Sequence, residues 1–158
     1  MAFPSPRHDH SRCIKSALAI ADEKSRELGL RLTPTRRRVL EILWQRHSPM
    51  GAYDILDVLA EEGDRPAPMV VYRALDFLID AGLVHRLNSL NAFIGCSTPE
   101  HDHDAQFLIC QSCGTTAELA GTPIAKAVDQ MAKTEGFDVR ERVVEISGVC
   151  PHCRSAAG

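Results

Sequence analysis

The stretch VVYRALDFLIDAGLVHRLNSLNAFIGC, Val70 to Cys96, changes its period half-way along. Up to Asp80 the apolar residues Val71, Ala74, Leu75 and Leu78 recur at helical spacing. Tyr72, Arg73 and Asp76 fall on another face. Gly82 is a natural helix stop. Beyond it LVHRL and AFIGC, separated by Asn88, Ser89, Leu90 and Asn91, read as the two short strands of a hairpin.

Upstream lie three more helical patterns. From Ser11 to Leu28 the periodic residues are Ile14, Ala17, Leu18, Ala21 and Leu28, and Gly29 ends the run. In RLTPTRRRVLEILW, Thr33 can cap, Pro34 suits the first helical position, and Val39, Leu40, Leu43 and Trp44 form the inward side. GAYDILDVLAEEG repeats the pattern with Ile55, Leu56 and Leu59, and stops at Gly63. Pro66 and Pro68 read as breakers ahead of the fourth helix. Short helices followed by a hairpin are the plan of a winged helix-turn-helix, whose last helix enters the major groove while the wing lies along the backbone. Small helical domains also bind proteins, and periodicity does not separate the two. The triplet Arg36, Arg37, Arg38 is either a solvated helix face or a phosphate-binding patch.

The acidic loop STPEHDHDA marks a boundary. Residues 1–90 carry a net charge of +1 and residues 91–158 one of −4. After the loop, QFLIC and TTAEL read as strands. PIAKAVDQMAKTEG reads as an amphipathic helix with Ile124, Ala127, Val128 and Met131 on one side, and FDVRERVVEISGVC as a long strand. A sheet with one helix has too little core to stand alone, so this part needs a staple and a partner subunit.

Cys110-x2-Cys113 and Cys150-x2-Cys153, with 36 residues between the pairs, supply that staple. CPHC alone looks like the site of a thiol–disulfide oxidoreductase, which needs its first cysteine at the start of a long helix. Only five residues follow Cys153, so no such helix is expected. Four thiolates in a tetrahedron suit zinc, and a shell with no open position is structural rather than catalytic. His152 then reads as a knuckle residue, not a ligand.

A second set of donors remains where the two parts meet: His85 and Cys96 on the hairpin, His101, Asp102, His103 and Asp104 in the linker, and Glu118 on a strand. Two nitrogens, a sulfur and an oxygen are workable zinc chemistry, weaker than a thiolate cage. Ligands drawn from both parts would let metal fix the angle between them.

The chain has 158 residues, 44% of them hydrophobic and 25% charged, which is ordinary soluble composition. No apolar run approaches the ~20 residues of a membrane span. MAFPSPRHDH lacks the apolar stretch of a secretory leader, so the expected location is cytoplasmic, where thiols stay reduced. No hydrolase signature such as H-E-x-x-H occurs, and a closed zinc shell offers no position for a substrate.

Taken together, RLTPTRRRVLEIL, GAYDILDVL, the stretch from Val70 to Cys96, HDHDAQFLICQSCGTTAEL and the late CPHC resemble the ferric uptake regulator superfamily, and within it the zinc-uptake branch. The resemblance covers about residues 30–153. With the patterns above, the chain reads as α+β: a disordered tail (1–10), a winged-helix DNA-binding domain (11–96), a hinge loop (97–105), and a small α/β dimerisation and metal-binding domain (106–158). The resemblance implies a zinc-responsive repressor that binds double-stranded operator DNA as a homodimer and holds about two zinc ions per subunit, with no enzymatic activity, small-molecule substrate or membrane partner.

Cys110, Cys113, Cys150 and Cys153 match the family's structural zinc site, and His85, Cys96, His103 and Glu118 its regulatory site. Tyr53, Tyr72 and Arg73 match positions that face DNA. His101 is an extra donor that could replace Glu118 or start a third site. Asp57 is present where some relatives pair neighbouring dimers, but Ala60 stands where the arginine partner would be. His8, His10 and Cys13 match nothing in the family pattern. The alternatives are a sensor of iron, manganese or peroxide on the same scaffold, or a thiol oxidoreductase. Cys96 discriminates, because thiolate favours zinc over the harder metal ions.

Overall fold

Asp9 starts the first helix, α1 (His10–Glu27), its carboxylate accepting the Ser11 N–H at 2.9 Å. Thr33 starts α2 (Pro34–Trp44) in the same way, accepting the Arg36 N–H, with Pro34 in the first turn. In α3 (Ala52–Glu61) Asp54 reaches back to the Gly51 N–H at 3.0 Å. The fourth helix, α4 (Pro68–Asp80), begins on Pro68 itself. That proline is therefore the first helical residue and not a breaker ahead of the helix, because its missing N–H costs nothing there.

This computed structural model describes residues 3, 9–63, 65–99, 105–119, 123–140 and 142–156. They fall in two compact units that part after Glu100. The tail read over residues 1–10 lies mostly outside the described residues, and His10 already belongs to α1.

In the first unit, Val39, Ile42, Ile55, Leu75 and Leu78 are all 0% exposed and form the centre of the core. At roughly 1.5–3 kcal/mol for each large apolar side chain buried, such a core carries the unit. Helix α4 ends in a Schellman turn. Gly82, at φ +67°, gives its N–H to Ile79 O, and Leu83 gives its own to Leu78 O, both at 2.8 Å. The turn feeds the chain into β1 (Val84–Leu87), which pairs antiparallel with β2 (Ala92–Gly95). Met50 and Phe93 exchange N–H···O bonds of 2.9 and 2.8 Å, tying the link between α2 and α3 to the hairpin. The Trp44 indole lies so close to Gly95 that any Cβ there would collide with it. The result is a winged helix-turn-helix.

In the second unit, β3 (Gln106–Cys110) is the central strand of the order β4-β3-β5. It pairs antiparallel with β4 (Thr116–Leu119) and parallel with β5 (Val144–Gly148), and the crossover between β4 and β5 carries α5 (Pro123–Thr134). The long strand read from Phe137 onward is thus only five residues. Its register runs from Gln106 opposite Val144 to Cys110 opposite Gly148, which uses every residue of β3. Upstream residues have no partner strand among the described residues.

The amphipathic reading of α5 holds, but no described residue of α5 is buried, and Met131 is 70% exposed. A last helix, α6 (Pro151–Ala156), follows Cys150 and has six residues.

Candidate functional site

The two C-x-x-C pairs come from opposite ends of the second unit and meet. Cys110 closes β3, and the chain turns back at once, with Gly114 N–H on Cys110 O at 2.9 Å and Cys110 N–H on Thr115 O at 3.0 Å. Cys150 follows β5, which runs parallel to β3 and so finishes at the same end of the sheet. The four sulfurs all lie within 4.8 Å of one another, and Cys113 Sγ is 3.8 Å from Cys150 Sγ. A tetrahedron with metal–sulfur bonds of ~2.3 Å has sulfur–sulfur edges of about 3.8 Å. The donor set therefore fits a zinc ion in both chemistry and spacing. His152 is not part of the group.

The electrostatics favour the same occupant. The Cys150 N–H, 3.3 Å from Cys110 Sγ, and next the Cys113 N–H hold the Cys110 thiol down to about 6. The Thr115 hydroxyl, 3.3 Å from Cys113 Sγ, lowers Cys113. Cys153 is pushed up to about 12 by the thiols of Cys113 and then Cys150. Thiols this close ionise together only with a cation among them.

His85 and Cys96 sit at the root of the wing. His85 is opposite Ile94 on the hairpin, and the Cys96 N–H bonds Leu83 O at 2.9 Å, so the two are diagonal neighbours on one face. A ring nitrogen of His85 lies within 4.8 Å of the buried Cys96 sulfur. Glu118 stands on β4 of the second unit, half-buried opposite Phe107. His103 and His101 lie outside the described residues.

The proposed reading helix packs its Val71, Ala74, Leu75 and Leu78 side inward. Arg73 is exposed, Tyr72 is half-buried against the core, and Tyr53 on α3 is 64% exposed. Asp57 is exposed on α3, with Ala60 one turn on. The arginine triplet is not a loose solvated face, because each guanidinium has a partner within the first unit. Arg36 lies over the Phe77 ring at 3.7 Å and bonds Arg31 O at 2.6 Å; Arg37 pairs with Asp22; Arg38 pairs with Glu41 and Glu62. No local signal reveals these partners, because Asp22 and Glu62 are 15 and 24 residues away. Of the unmatched N-terminal donors, His10 has Nδ1 3.0 Å from Trp44 O, and Cys13 lines a cavity of about 680 Å³ with Trp44 and Cys96. His8 lies outside the described residues.

Residues 27–147 match the ferric uptake regulator family. The chain belongs to that family. The family match runs from the end of α1 into β5, so it includes the first cysteine pair and stops before the second. The zinc uptake regulation protein of Escherichia coli K12 is 34% identical over 137 residues, covering 86% of this chain and 80% of that one. A zinc uptake regulator solved in complex with zinc and DNA superposes with a TM-score of 0.86 at 32% identity, covering 91% of this chain and 97% of that one. The crystal structure of holo XcZur gives 0.81 at 37% identity, covering 90% and 99%.

Proposed function

We propose that this chain is a zinc-responsive transcriptional repressor, and not an enzyme, that binds operator DNA as a zinc-loaded homodimer in the cytoplasm and represses zinc-uptake genes. The observation that carries the reading is the Cys96 sulfur beside a His85 nitrogen at the root of the wing, in a family member similar to zinc uptake regulators. A sulfur donor separates this chain from iron and peroxide sensors, whose chemistry calls for harder ligands. No helix among the described residues is long and apolar enough to cross a membrane.

Each region has its task. Cys110, Cys113, Cys150 and Cys153 hold one zinc and clamp the ends of β3 and β5. His85, Cys96, His103 and Glu118 are the ligands of a second, regulatory site. Bound there, the ion supplies differential affinity for the DNA-binding arrangement over the others, which is all a ligand can contribute to a switch. The position of β5 at the edge of the sheet among the described residues, the exposed Ile146 and Val149, and the exposed Met131 on the apolar side of α5 support pairing with a second copy. Arg73, Tyr72 and Tyr53 are the DNA contacts.

The test is a DNA-binding titration against buffered free zinc. Cys96→Ser removes the softest regulatory ligand and touches no structural cysteine. It should fold, dimerise and keep its structural zinc, yet lose zinc-dependent affinity for DNA. Wild-type zinc responsiveness in that variant would overturn the regulatory assignment. A wild-type protein whose DNA affinity is flat across all zinc levels would overturn the sensor reading itself.

A further inference from the structure

The first turn of α4 carries a feature that the DNA contacts named above do not use. Ala67, Pro68, Met69 and Val70 are all exposed, with Met69 at 59% and Val70 at 39%. Neither side chain is among the described residues packed on the core, whereas the next residue, Val71, is 1% exposed within it. Met69 and Val70 precede Arg73 by four and three residues, so both neighbour it on the helix surface, Met69 and Arg73 opposite the buried side and Val70 on its flank. Exposed apolar side chains on a helix of a small domain need a reason when they cluster at one end.

We propose that Met69 and Val70 read thymine methyl groups in the operator's major groove. The inference rests on α4 being the helix that enters that groove. The argument is one of exclusion by chemistry. From Ala67 to Val71 no side chain offers a hydrogen-bond donor and none but the Met69 thioether offers even a weak acceptor. Bases met by this end of the helix cannot be read by polar side-chain contacts. The apolar mark that the major groove presents is the C5-methyl of thymine. Recognition helices meet base edges with their N-terminal residues, which is where these two stand. The turn has no acidic residue, so nothing there repels the phosphates flanking the groove. Arg73, one turn on, reads a purine edge by hydrogen bonds while Met69 and Val70 cover the methyl of a neighbouring thymine.

The test removes the methyl from the DNA and the apolar groups from the protein, separately and together. A palindromic duplex selected by the zinc-loaded protein from a random pool is synthesised with thymine, and again with deoxyuridine at one thymine pair at a time. Deoxyuridine keeps every hydrogen-bonding group and loses only the methyl. Wild type should bind the thymine duplex about fourfold more tightly for each methyl it covers, the value of burying one such carbon. The Met69→Ser/Val70→Ser double variant should bind both duplexes alike, near the affinity of wild type for the deoxyuridine duplex. Val70→Thr, which keeps one methyl, should fall between. Arg73→Ala should weaken binding to both duplexes but keep the preference for thymine.

Equal wild-type binding to thymine and deoxyuridine duplexes, or a thymine preference undiminished in the double variant, overturns this inference and leaves the repressor reading standing. A selection that returns no zinc-dependent duplex at all overturns the repressor reading, and this inference with it.

Discussion

Leu75 and Ile146 each sit mid-way along a principal element of one unit, yet Leu75 is 0% exposed and Ile146 is 43% exposed. The contrast holds throughout. The first unit closes four helices and a hairpin over a core that runs from Ala21 to Phe93. The second buries Phe107, Ile109 and Ala117, then two cysteines, and leaves Met131, Phe137, Val143, Ile146 and Val149 open. One unit is held by apolar burial. The other has too little interior for that, and in the proposed repressor its sulfur cluster and a second copy of the chain make up the difference.

Stripping the metal should break that symmetry of need most violently. Cys113→Ser, or a strong chelator on the wild type, leaves the two knuckles poorly joined. Apparent zinc-binding free energies in small thiolate domains are on the order of 10–16 kcal/mol, and there they are folding free energies. Hydrogen exchange should show loss of amide protection in β3, β4 and β5, with α2 and α4 still protected. Native mass spectrometry should show one tightly held zinc fewer per chain and more monomer. Full protection of the sheet after chelation would mean that the second unit supports itself.

The converse change acts on the other side. Leu75→Ala opens a hole in the first unit's core and should cost about 2–5 kcal/mol of its stability. The four-sulfur cluster shares no side chain with that core, so structural zinc content should not change. Zinc lost in step with the first unit's unfolding would show the two units to be one cooperative block.

What the sequence reveals follows the same division. The winged half is legible because its signals are local: Gly82 stops α4, the period shifts from 3.6 to 2 beside it, and Thr33 and Pro34 start α2. The cysteine cluster is legible because two knuckles of fixed spacing have few other uses. The strand β5 is misread in length because a strand ends where its partner ends, and β3 is not visible from Phe137. The apolar side of α5 is readable, but not that none of its described residues is buried. The partners of the arginine triplet cannot be read from sequence, because Asp22 and Glu62 are brought near only by folding.

The smallest effect concerns that last pair and separates the units by acid. Arg38 gives Nε to Glu62 Oε2 at 2.9 Å and a second N–H to the other carboxylate oxygen, so α2 is braced to the end of α3 by a two-point ion pair. The guanidinium holds the Glu62 carboxyl below its ordinary value. A carboxyl lowered by folding contributes stability above its unfolded pKa and loses it as pH falls through the folded one. Glu62→Gln should therefore destabilise the first unit slightly at neutral pH, less in high salt, with the gap to wild type closing in acid. The second unit should fail at higher pH, because protons compete with metal for its thiolates. An acid series followed by hydrogen exchange should show the sheet opening first, while the wild-type advantage over Glu62→Gln in α2 and α3 still persists. Were that advantage to survive below the pH at which the carboxylate is protonated, packing rather than charge would be what Glu62 contributes. Were both units to open at one pH, their separate means of support would not be separate after all.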